Sequence, residues 1–155
     1  MRMLIQNSKI NVNIINTWFS LVERIEREKD GIDSYIYYGQ VNSKGQMNGF
    51  GSMLFKNGFC YQGMFKKGSR EGLGFTYDLN NNKYKGEHKA GIREGKGIFK
   101  TNDGKVYEGG WSNNKMHGRG REKFINGECF LVYYKNGYRI DALAQKNVNS
   151  STPNN

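Results

Sequence analysis

Residue types from which catalytic and metal sites are usually built are scarce in this 155-residue sequence. It contains two cysteines, Cys60 and Cys129, and two histidines, His88 and His117. Neither cysteine lies in a zinc-type spacing, and two cysteines cannot form a disulfide framework, so a reducing compartment is indicated. The sequence contains no G-x-G-x-x-G motif of the kind that binds dinucleotides. It also offers no set of nucleophile, general base and orienting acid that could form a catalytic site. We therefore predict a protein without catalytic activity, cofactor or metal ion.

Long apolar runs and proline are also rare. A membrane-spanning helix needs about 18 or more successive apolar residues, and the sequence has no such run; its mean hydropathy is -0.80. Residues 1–22 are too polar for a secretory signal, which predicts a cytoplasmic protein. They contain Arg2 and Lys9 but no acidic residue, so a mitochondrial presequence is the alternative.

Aromatic residues, glycine and positive charge are abundant. The sequence has 10 tyrosines, 9 phenylalanines, 2 tryptophans and 21 glycines, a combination typical of strands joined by tight turns. The formal net charge is +10, and all of the excess lies in residues 37–140 because the two flanking segments are balanced. A basic surplus favours acidic partners, which include anionic lipid, an acidic protein surface and nucleic acid. Solubility alone is the simpler explanation.

A repeat of 23 residues runs through this basic region. Tyr61, Tyr84 and Tyr107 are each followed two residues later by glycine and four residues later by a ring. A Gly-x-Gly occupies the eleventh and thirteenth positions after each tyrosine. An earlier copy begins at Tyr37 with one inserted residue, and a last, incomplete copy begins at Phe130. Such self-similarity indicates a repeat architecture.

One repeat has the pattern of a β-hairpin. Tyr61, Gly63 and Phe65 alternate with other residues, so their side chains share one face of a strand. On the second strand of the hairpin, we expect Gly74 to lie opposite Gly63, and Gly72 to lie opposite Phe65. The missing side chains would let large rings lie over bare backbone, which gives the glycines the packing reason that glycine inside a strand requires.

Connections are predicted at two places in each repeat. Residues 66–71 are interpreted as the connection within a repeat. Residues that tolerate positive φ mark the turns between repeats, and these are Asn57-Gly58, Asn80-Asn81-Asn82, Asp103-Gly104 and Asn126-Gly127. We therefore predict an all-β repeat protein, a single elongated antiparallel meander of about nine or ten strands, spaced about 4.8 Å apart. The two cysteines then lie roughly 29 Å apart and cannot pair within one chain.

The flanking segments complete the predicted domain organisation. Residues 1–31 form an N-terminal segment, residues 32–140 the sheet, and residues 141–155 a polar, disordered tail. Apolar residues at helical spacing, including Trp18 and Leu21, predict an amphipathic helix over residues 12–28. That helix would cover an edge or face of the sheet, or else dock on a partner or a membrane surface.

The repeats resemble a known family. YEGGWSNNKMHGRG (107–120) is similar to the signature of the membrane occupation and recognition nexus (MORN) repeat, as are YKGEHKAGIREGKG (84–97) and YQGMFKKGSREGLG (61–74). The resemblance covers residues 37–139. The departures from the pattern are His88, Asn81, Asn114 and Val132. The resemblance implies an elongated, twisted sheet with a groove that binds protein segments or forms homodimers, and phospholipid binding in some members.

The leading hypothesis for function is a non-catalytic scaffold that binds an extended or helical segment of a protein partner. The resemblance suggests a cytoskeletal, ciliary or axonemal assembly. The candidate contacts are the aromatic and apolar positions of the repeats, namely Tyr61, Phe65, Phe75, Tyr77, Tyr84, Ile98, Phe99, Tyr107 and Trp111. For any single one of them, packing within the sheet is the simpler interpretation.

The alternative is peripheral binding to anionic phospholipid at the cytoplasmic face of a membrane. Each basic residue near such a surface contributes about 1 kcal/mol, and less at high salt. The candidate residues are Lys66, Lys67, Arg70, Lys89, Arg93 and Lys96. Nucleic acid is the least favoured partner, because the basic residues near Phe124 accompany no recognised motif.

Overall fold

The fold is described by a computed structural model, which covers residues 23–27 and 34–141 of the chain. These residues form one sheet of eleven antiparallel strands that follow one another in sequence order. The strands are β1 (Glu23–Arg27), β2 (Tyr35–Val41), β3 (Met47–Phe55), β4 (Cys60–Lys66), β5 (Ser69–Tyr77), β6 (Lys83–Lys89), β7 (Ile92–Lys100), β8 (Val106–Ser112), β9 (Lys115–Lys123), β10 (Cys129–Lys135) and β11 (Tyr138–Asp141). The ten strands from β2 to β11 confirm the predicted meander, and β1 adds an eleventh at the N-terminal edge.

A row of glycines crosses the middle of the sheet. Gly63 lies opposite Gly74, as predicted, and Gly74 lies opposite Gly86 on its other side. A Cβ atom added at Gly74 would lie 2.4 Å from Cε2 of Tyr61. The glycines are therefore required by the tyrosine rings that lie on them. The row runs through Gly39, Gly51, Gly63, Gly74, Gly86, Gly97, Gly109 and Gly120, and reaches Val132 on β10.

The predicted pairing of Phe65 with Gly72 is wrong. Phe65 lies opposite Arg70, because the register shifts in the middle of this strand pair. Gly72 has a φ of +78°, which glycine adopts at no steric cost and which lets β5 bulge. The shift takes Met64 out of the ladder with β5, and its carbonyl instead accepts a 2.9 Å hydrogen bond from the hydroxyl of Tyr61. The tyrosines that begin three other repeats make the equivalent bond.

The turns are of two kinds. Within a repeat, a two-residue turn has both residues at positive φ, the conformation of a type I′ hairpin; these turns are Lys67–Gly68, Ala90–Gly91, Asn113–Asn114 and Asn136–Gly137. Residues 66–71, predicted to be a connection, are therefore mostly strand, since β4 ends at Lys66 and β5 begins at Ser69. The predicted turns between repeats are confirmed by positive φ at Gly58, Asn81, Gly104 and Gly127.

Strand β1 corrects the end of the predicted N-terminal helix. Residues 23–27, the last part of the segment predicted to be helical, pair with β2 and place Glu23 opposite Gly39. This pairing satisfies backbone groups along the edge of β2 that would otherwise be unpaired. The other residues of the predicted helix, 12–22 and 28, lie outside the described residues, as does the tail after Asp141.

The core is a ladder of rings on one face of the sheet. We call this face the ring face and the opposite one the open face. Successive rings meet edge-to-face with centroids 5.0–5.8 Å apart, an arrangement that ring quadrupoles favour. Each ring of the ladder is at most 8% exposed. In order, the ring ladder consists of Tyr37, Phe65, Tyr61, His88, Tyr84, Trp111, Tyr107 and Tyr134.

The apolar residues of this core fall into two clusters. The first contains Tyr37, Met47, Met53, Tyr61 and Phe65, and the second contains Tyr84, Tyr107, Trp111, Val132 and Tyr134. Two buried polar residues, Thr76 on β5 and His88 on β6, separate the clusters. The middle of the ring face is therefore polar.

Candidate functional site

Five of the nine predicted partner-binding residues are packed inside the protein. Tyr61, Phe65, Tyr84, Tyr107 and Trp111 belong to the ring ladder, and each is at most 5% exposed. Burial raises the pKa of each of these tyrosines to about 12. These rings support the fold and leave little surface for a partner.

The other four predicted residues are divided between the two faces. Phe75 and Ile98 are 37% and 41% exposed and lie on the open face. Tyr77 is half-buried on the same face. Phe99 is half-buried on the ring face, where its ring contacts Trp111. Only Phe75, Tyr77 and Ile98 of the predicted set share a surface that a partner can reach.

The predicted lipid-binding residues do not form one surface. Lys67 lies in a turn, whereas Arg70 and Arg93 lie on the ring face, opposite Phe65 and His88. The separation arises because the strands continue through residues that were assigned to a connection, so that alternation sends neighbouring residues to opposite faces. The three members that are exposed on the open face are Lys66, Lys89 and Lys96.

The open face carries an apolar patch that sequence reasoning mostly missed. Phe50 on β3 lies directly opposite Met64 on β4, and both are 43% exposed. Leu73 on β5 is 68% exposed. The sequence does contain a signal for this patch. Side chains alternate between the two faces of a strand, and these residues alternate with residues whose side chains lie on the ring face, so they must lie on the open face. The apolar patch consists of Phe50, Leu54, Met64, Leu73 and Phe75.

A basic area adjoins the apolar patch on the open face. Lys83 on β6 lies directly opposite Lys100 on β7, and like charges in this position destabilise a sheet. Nζ of Lys83 lies 5.6 Å from the ring centroid of Tyr77, its neighbour on β5. This contact involves only one of the two lysines and leaves their mutual repulsion in place. The basic area consists of Lys83, Lys85, Lys89, Lys96, Lys100, Arg119, Arg121 and Lys123, and its acidic neighbours are Glu87, Glu94 and Glu108.

A polar cleft of about 230 Å³ interrupts the ring face between the two apolar clusters. The guanidinium carbon of Arg93 lies 4.4 Å from the ring centroid of Trp111, and that of Arg70 lies 5.6 Å from the ring centroid of Tyr61. These contacts are cation–π interactions at the edge of the ring ladder. The lining of the polar cleft includes Arg70, Thr76, Asp78, His88, Arg93 and Phe99.

His88 lines the polar cleft and is only 4% exposed. Neither of its ring nitrogens has a hydrogen-bond partner within residues 34–141. Burial, and then the charges of Arg70 and Arg93, lower the pKa of His88 to about 4. Backbone groups of Gly86 and Gly72 act in the opposite direction without making a hydrogen bond of good geometry. The imidazole is therefore neutral at pH 7.

Glu122 is a fully buried carboxylate near the C-terminal end of the ring ladder. Its Oε1 accepts a 2.6 Å hydrogen bond from the hydroxyl of Tyr134 and lies 2.7 Å from Nζ of Lys105. Its Oε2 lies 3.2 Å from Nη1 of Arg139. Burial acts to raise the pKa of Glu122, but these three partners outweigh it and lower the pKa. Both oxygens are satisfied, so this cluster serves the fold.

No group of three or more metal-ligating side chains occurs in the part of the chain that the structure describes. The same residues contain no helix of the length and apolarity needed to cross a membrane. Cys60 on β4 and Cys129 on β10 are both unpaired and half-buried. Burial raises the pKa of the Cys60 thiol.

A single sheet of hairpin repeats, with tyrosine rings lying on paired glycines and a second face open to partners, defines the class as a β-repeat binding module. The model of the MORN repeat matches four consecutive segments, residues 37–59, 61–81, 84–106 and 107–129, which together exceed half of the chain. The chain therefore belongs to the MORN-repeat family, as its sequence predicted. MORN repeats are non-catalytic modules that generally bind proteins or membranes. No curated protein matches the chain.

Proposed function

We propose that this protein is a non-catalytic scaffold that binds a segment of a protein partner on the open face of its sheet. The apolar patch carries this proposal, because its five large side chains are 37–68% exposed on adjoining strands. Contiguous exposed apolar surface of this kind marks interaction sites in soluble proteins. The rings of the ladder, in contrast, are already buried against one another.

The neighbourhood of the apolar patch favours a partner of defined chemistry. The apolar patch lies on β3–β5 and the basic area on β6–β9, so a segment that crosses the strands meets apolar side chains and then cations. A matching segment has apolar anchors followed by acidic residues. The anchors supply most of the affinity, at about 1.5–3 kcal/mol for each large side chain fully buried. The charges raise the association rate.

The setting that we propose is a cytoskeletal or ciliary assembly in the cytoplasm. The family resemblance suggests this setting, and the basic area supports it because an acidic filament surface, such as that of a microtubule, is complementary to it. The scaffold would hold its partner segment on one part of the open face and meet the assembly with another.

The test is a pull-down. Purified wild-type protein, L73K and I125K are each used to capture binding proteins from native extract, and the captured proteins are compared. Leu73→Lys places a charge in the apolar patch but leaves the fold intact, because the side chain faces solvent and lies opposite Glu87. Ile125→Lys is the matched control, since Ile125 is 85% exposed and lies outside the apolar patch. We expect a partner that wild type and I125K retain and L73K loses. Equal retention by all three proteins would overturn the proposal.

The apolar patch could instead bind a second copy of the same chain, and a further measurement on the same variants identifies this outcome. Size-exclusion chromatography of the same three proteins measures their oligomeric state. A dimer that forms in wild type and I125K but dissociates in L73K would assign the patch to self-association instead of a separate partner.

A second candidate function is peripheral binding to anionic membranes through the basic area. The like-charged pair of Lys83 and Lys100 favours it, because an anionic surface would relieve their repulsion. Each basic residue near such a surface contributes about 1 kcal/mol. Sedimentation with phosphatidylserine vesicles and with neutral vesicles tests it, at low and at high salt. We expect binding to the anionic vesicles only, lost at high salt and in K83Q/K100Q; equal binding to both vesicles, or binding to neither, rejects it.

A further inference from the structure

The two arginines of the polar cleft occupy a position that differs from repeat to repeat. Arg70 and Arg93 lie opposite the ring that occurs four residues after each repeat tyrosine. Met47 and Met116 hold the same position in two other repeats. Arg139 holds it in the last copy, opposite Tyr134, and lies 3.2 Å from a carboxylate oxygen of Glu122. Both methionines pack with the apolar clusters. The central repeats therefore carry cations at a position that other repeats fill with methionine or with an arginine paired to a carboxylate.

These two cations lack an ionic partner. Neither Arg70 nor Arg93 makes an ion pair with a carboxylate within residues 34–141, where the ion pairs are those of Glu122. Burial lowers the pKa of both arginines, which means that their charges are partly withdrawn from water. A partly desolvated cation is stabilised by an anion that replaces the lost water.

Asp78 is the acidic residue in the lining of the polar cleft. Its Oδ1 accepts hydrogen bonds of 2.9 Å from the backbone N–H groups of Asn80 and Asn82, and its Oδ2 accepts one of 3.0 Å from the Asn82 amide. Asp78 therefore closes its own turn. With two arginines, one aspartate and a neutral His88, the lining keeps a charge of +1.

We propose that the polar cleft binds a carboxylate, presented by an aspartate or glutamate side chain of a protein segment that crosses the ring face. One N–H of Arg70 is held by the carbonyl of Gly91, and one of Arg93 by that of Asn114. The remaining donors of each planar guanidinium match the geometry of carboxylate oxygens. The volume of about 230 Å³ is below the roughly 300–1,000 Å³ of small-molecule pockets, so the cleft suits a single side chain.

A carboxylate also matches the charge of the polar cleft better than a phosphate does. One negative charge balances the +1 of the lining, whereas a phosphate ester carries about -1.5 to -2. Thr76 and His88 belong to the same lining, and the ring nitrogens of His88 are buried without a hydrogen-bond partner. A bound anion changes the electrostatic surroundings of the neutral imidazole, so the ring signals of His88 report on occupancy of the cleft.

The test is nuclear magnetic resonance of the full-length, ¹⁵N-labelled chain at pH 7. Sodium acetate, sodium chloride and sodium phosphate are added at matched ionic strength. The chain has two histidines, and His117, which is exposed, is the internal reference. We expect acetate to shift the ring signals of His88 saturably at millimolar concentration, with no such effect of chloride. A short peptide with one glutamate should bind at least about tenfold more tightly than its glutamine counterpart.

The decisive variant is R70M/R93M, because Met47 and Met116 indicate that methionine fits this position. K56M/K135M removes two charges from exposed positions outside both the polar cleft and the basic area, and is the matched control. Thermal unfolding of both variants checks their folding. We expect R70M/R93M to lose the acetate response and the glutamate preference, and K56M/K135M to keep both.

Four outcomes would overturn the proposal. A response to chloride equal to that of acetate, or an acetate response that persists in R70M/R93M, would exclude a carboxylate site. Phosphate binding more than about tenfold tighter than acetate would assign the cleft to a phosphate-bearing ligand. Acetate binding without a glutamate preference would assign it to a free small carboxylate. The pull-down with L73K tests the open face, whereas the acetate titration tests the polar cleft on the ring face. Either proposal can therefore fail without the other.

Discussion

The imidazole of His88 stands edge-on to the ring of Tyr84, with the centroids 5.2 Å apart and the planes at 89°. In other repeats the equivalent ring is Phe65, Trp111 or Tyr134. His88 therefore acts as a member of the ring ladder, where its neutral form packs like a hydrocarbon ring. Protonation would bury a charge beside two arginines, so the stability of the ladder depends on pH.

Stability is expected to fall as the pH falls from 6.5 to 4. The pKa of His88 is about 4 in the folded chain and 6.5 in the unfolded chain, so the unfolded chain takes up the proton first. The stability that neutral His88 contributes is complete above pH 6.5 and decreases by about 3 kcal/mol down to pH 4. Urea unfolding at pH 7 and at pH 5 measures the change. His88→Phe should remove this pH dependence. If the free energy of unfolding of H88F falls between pH 7 and pH 5 as much as that of wild type, His88 is not its source.

Gly97→Ala should destabilise the sheet by at least about 3 kcal/mol. The added Cβ would lie 2.4 Å from Cε2 of Tyr84, whose ring lies on the glycine row. Gly45→Ala is the control, because Gly45 has a φ of +69° and no atom within 4 Å of the added Cβ. It should cost only the left-handed strain of about 1–2 kcal/mol. Chemical denaturation compares the two variants, and equal losses would refute the role of the glycine row.

Ala90→Asn should stabilise the protein by about 0.5–1 kcal/mol. Ala90 opens a type I′ turn with a φ of 49°, which is strained for alanine. Asn113 and Asn136 hold the equivalent position in two other repeats, so the chain itself contains the preferred residue. The backbone N–H of Ala90, which bonds Oε2 of Glu71 at 2.9 Å, is kept. A lower melting temperature in A90N than in wild type would disprove this.

Glu122→Gln should cost about 1–3 kcal/mol at pH 7, because it leaves the partly exposed Lys105 and Arg139 without their buried anion. The pKa of Glu122 is lowered in the folded chain from its ordinary 4.5. Its contribution is therefore present above about pH 4.5 and is lost as the pH falls through the folded value. Unfolding curves for E122Q and H88F between pH 7 and pH 3 separate the two groups. If E122Q is as stable as wild type at pH 7, the cluster does not support the fold.

The repeat pattern predicted the sheet because its two strongest signals act locally. Gly63 and Gly74 face each other because Tyr61 needs bare backbone beneath it, and the turns at Gly58 and Gly127 require positive φ. Such requirements are visible in the chain as residue types at fixed spacing.

The position of Arg70 was harder to predict, because it depends on pairing beyond the local pattern. The two-residue turn and the bulge at Gly72 together place Arg70 opposite Phe65, on the ring face. Basic residues grouped by sequence position alone therefore mix the two faces. The methionine at the equivalent position, Met116, was the available signal, since an apolar residue there indicates an inward-facing site.

Photo-crosslinking most directly tests whether the partner segment binds the open face. The crosslinker p-benzoylphenylalanine replaces Phe75, which is 37% exposed on the open face, in one variant, and Phe130, half-buried on the ring face opposite Glu122, in the other. Each variant is irradiated with the partner that wild type retains and L73K loses. We expect crosslinks from position 75 and none from position 130. Crosslinks from position 130 alone would contradict binding on the open face.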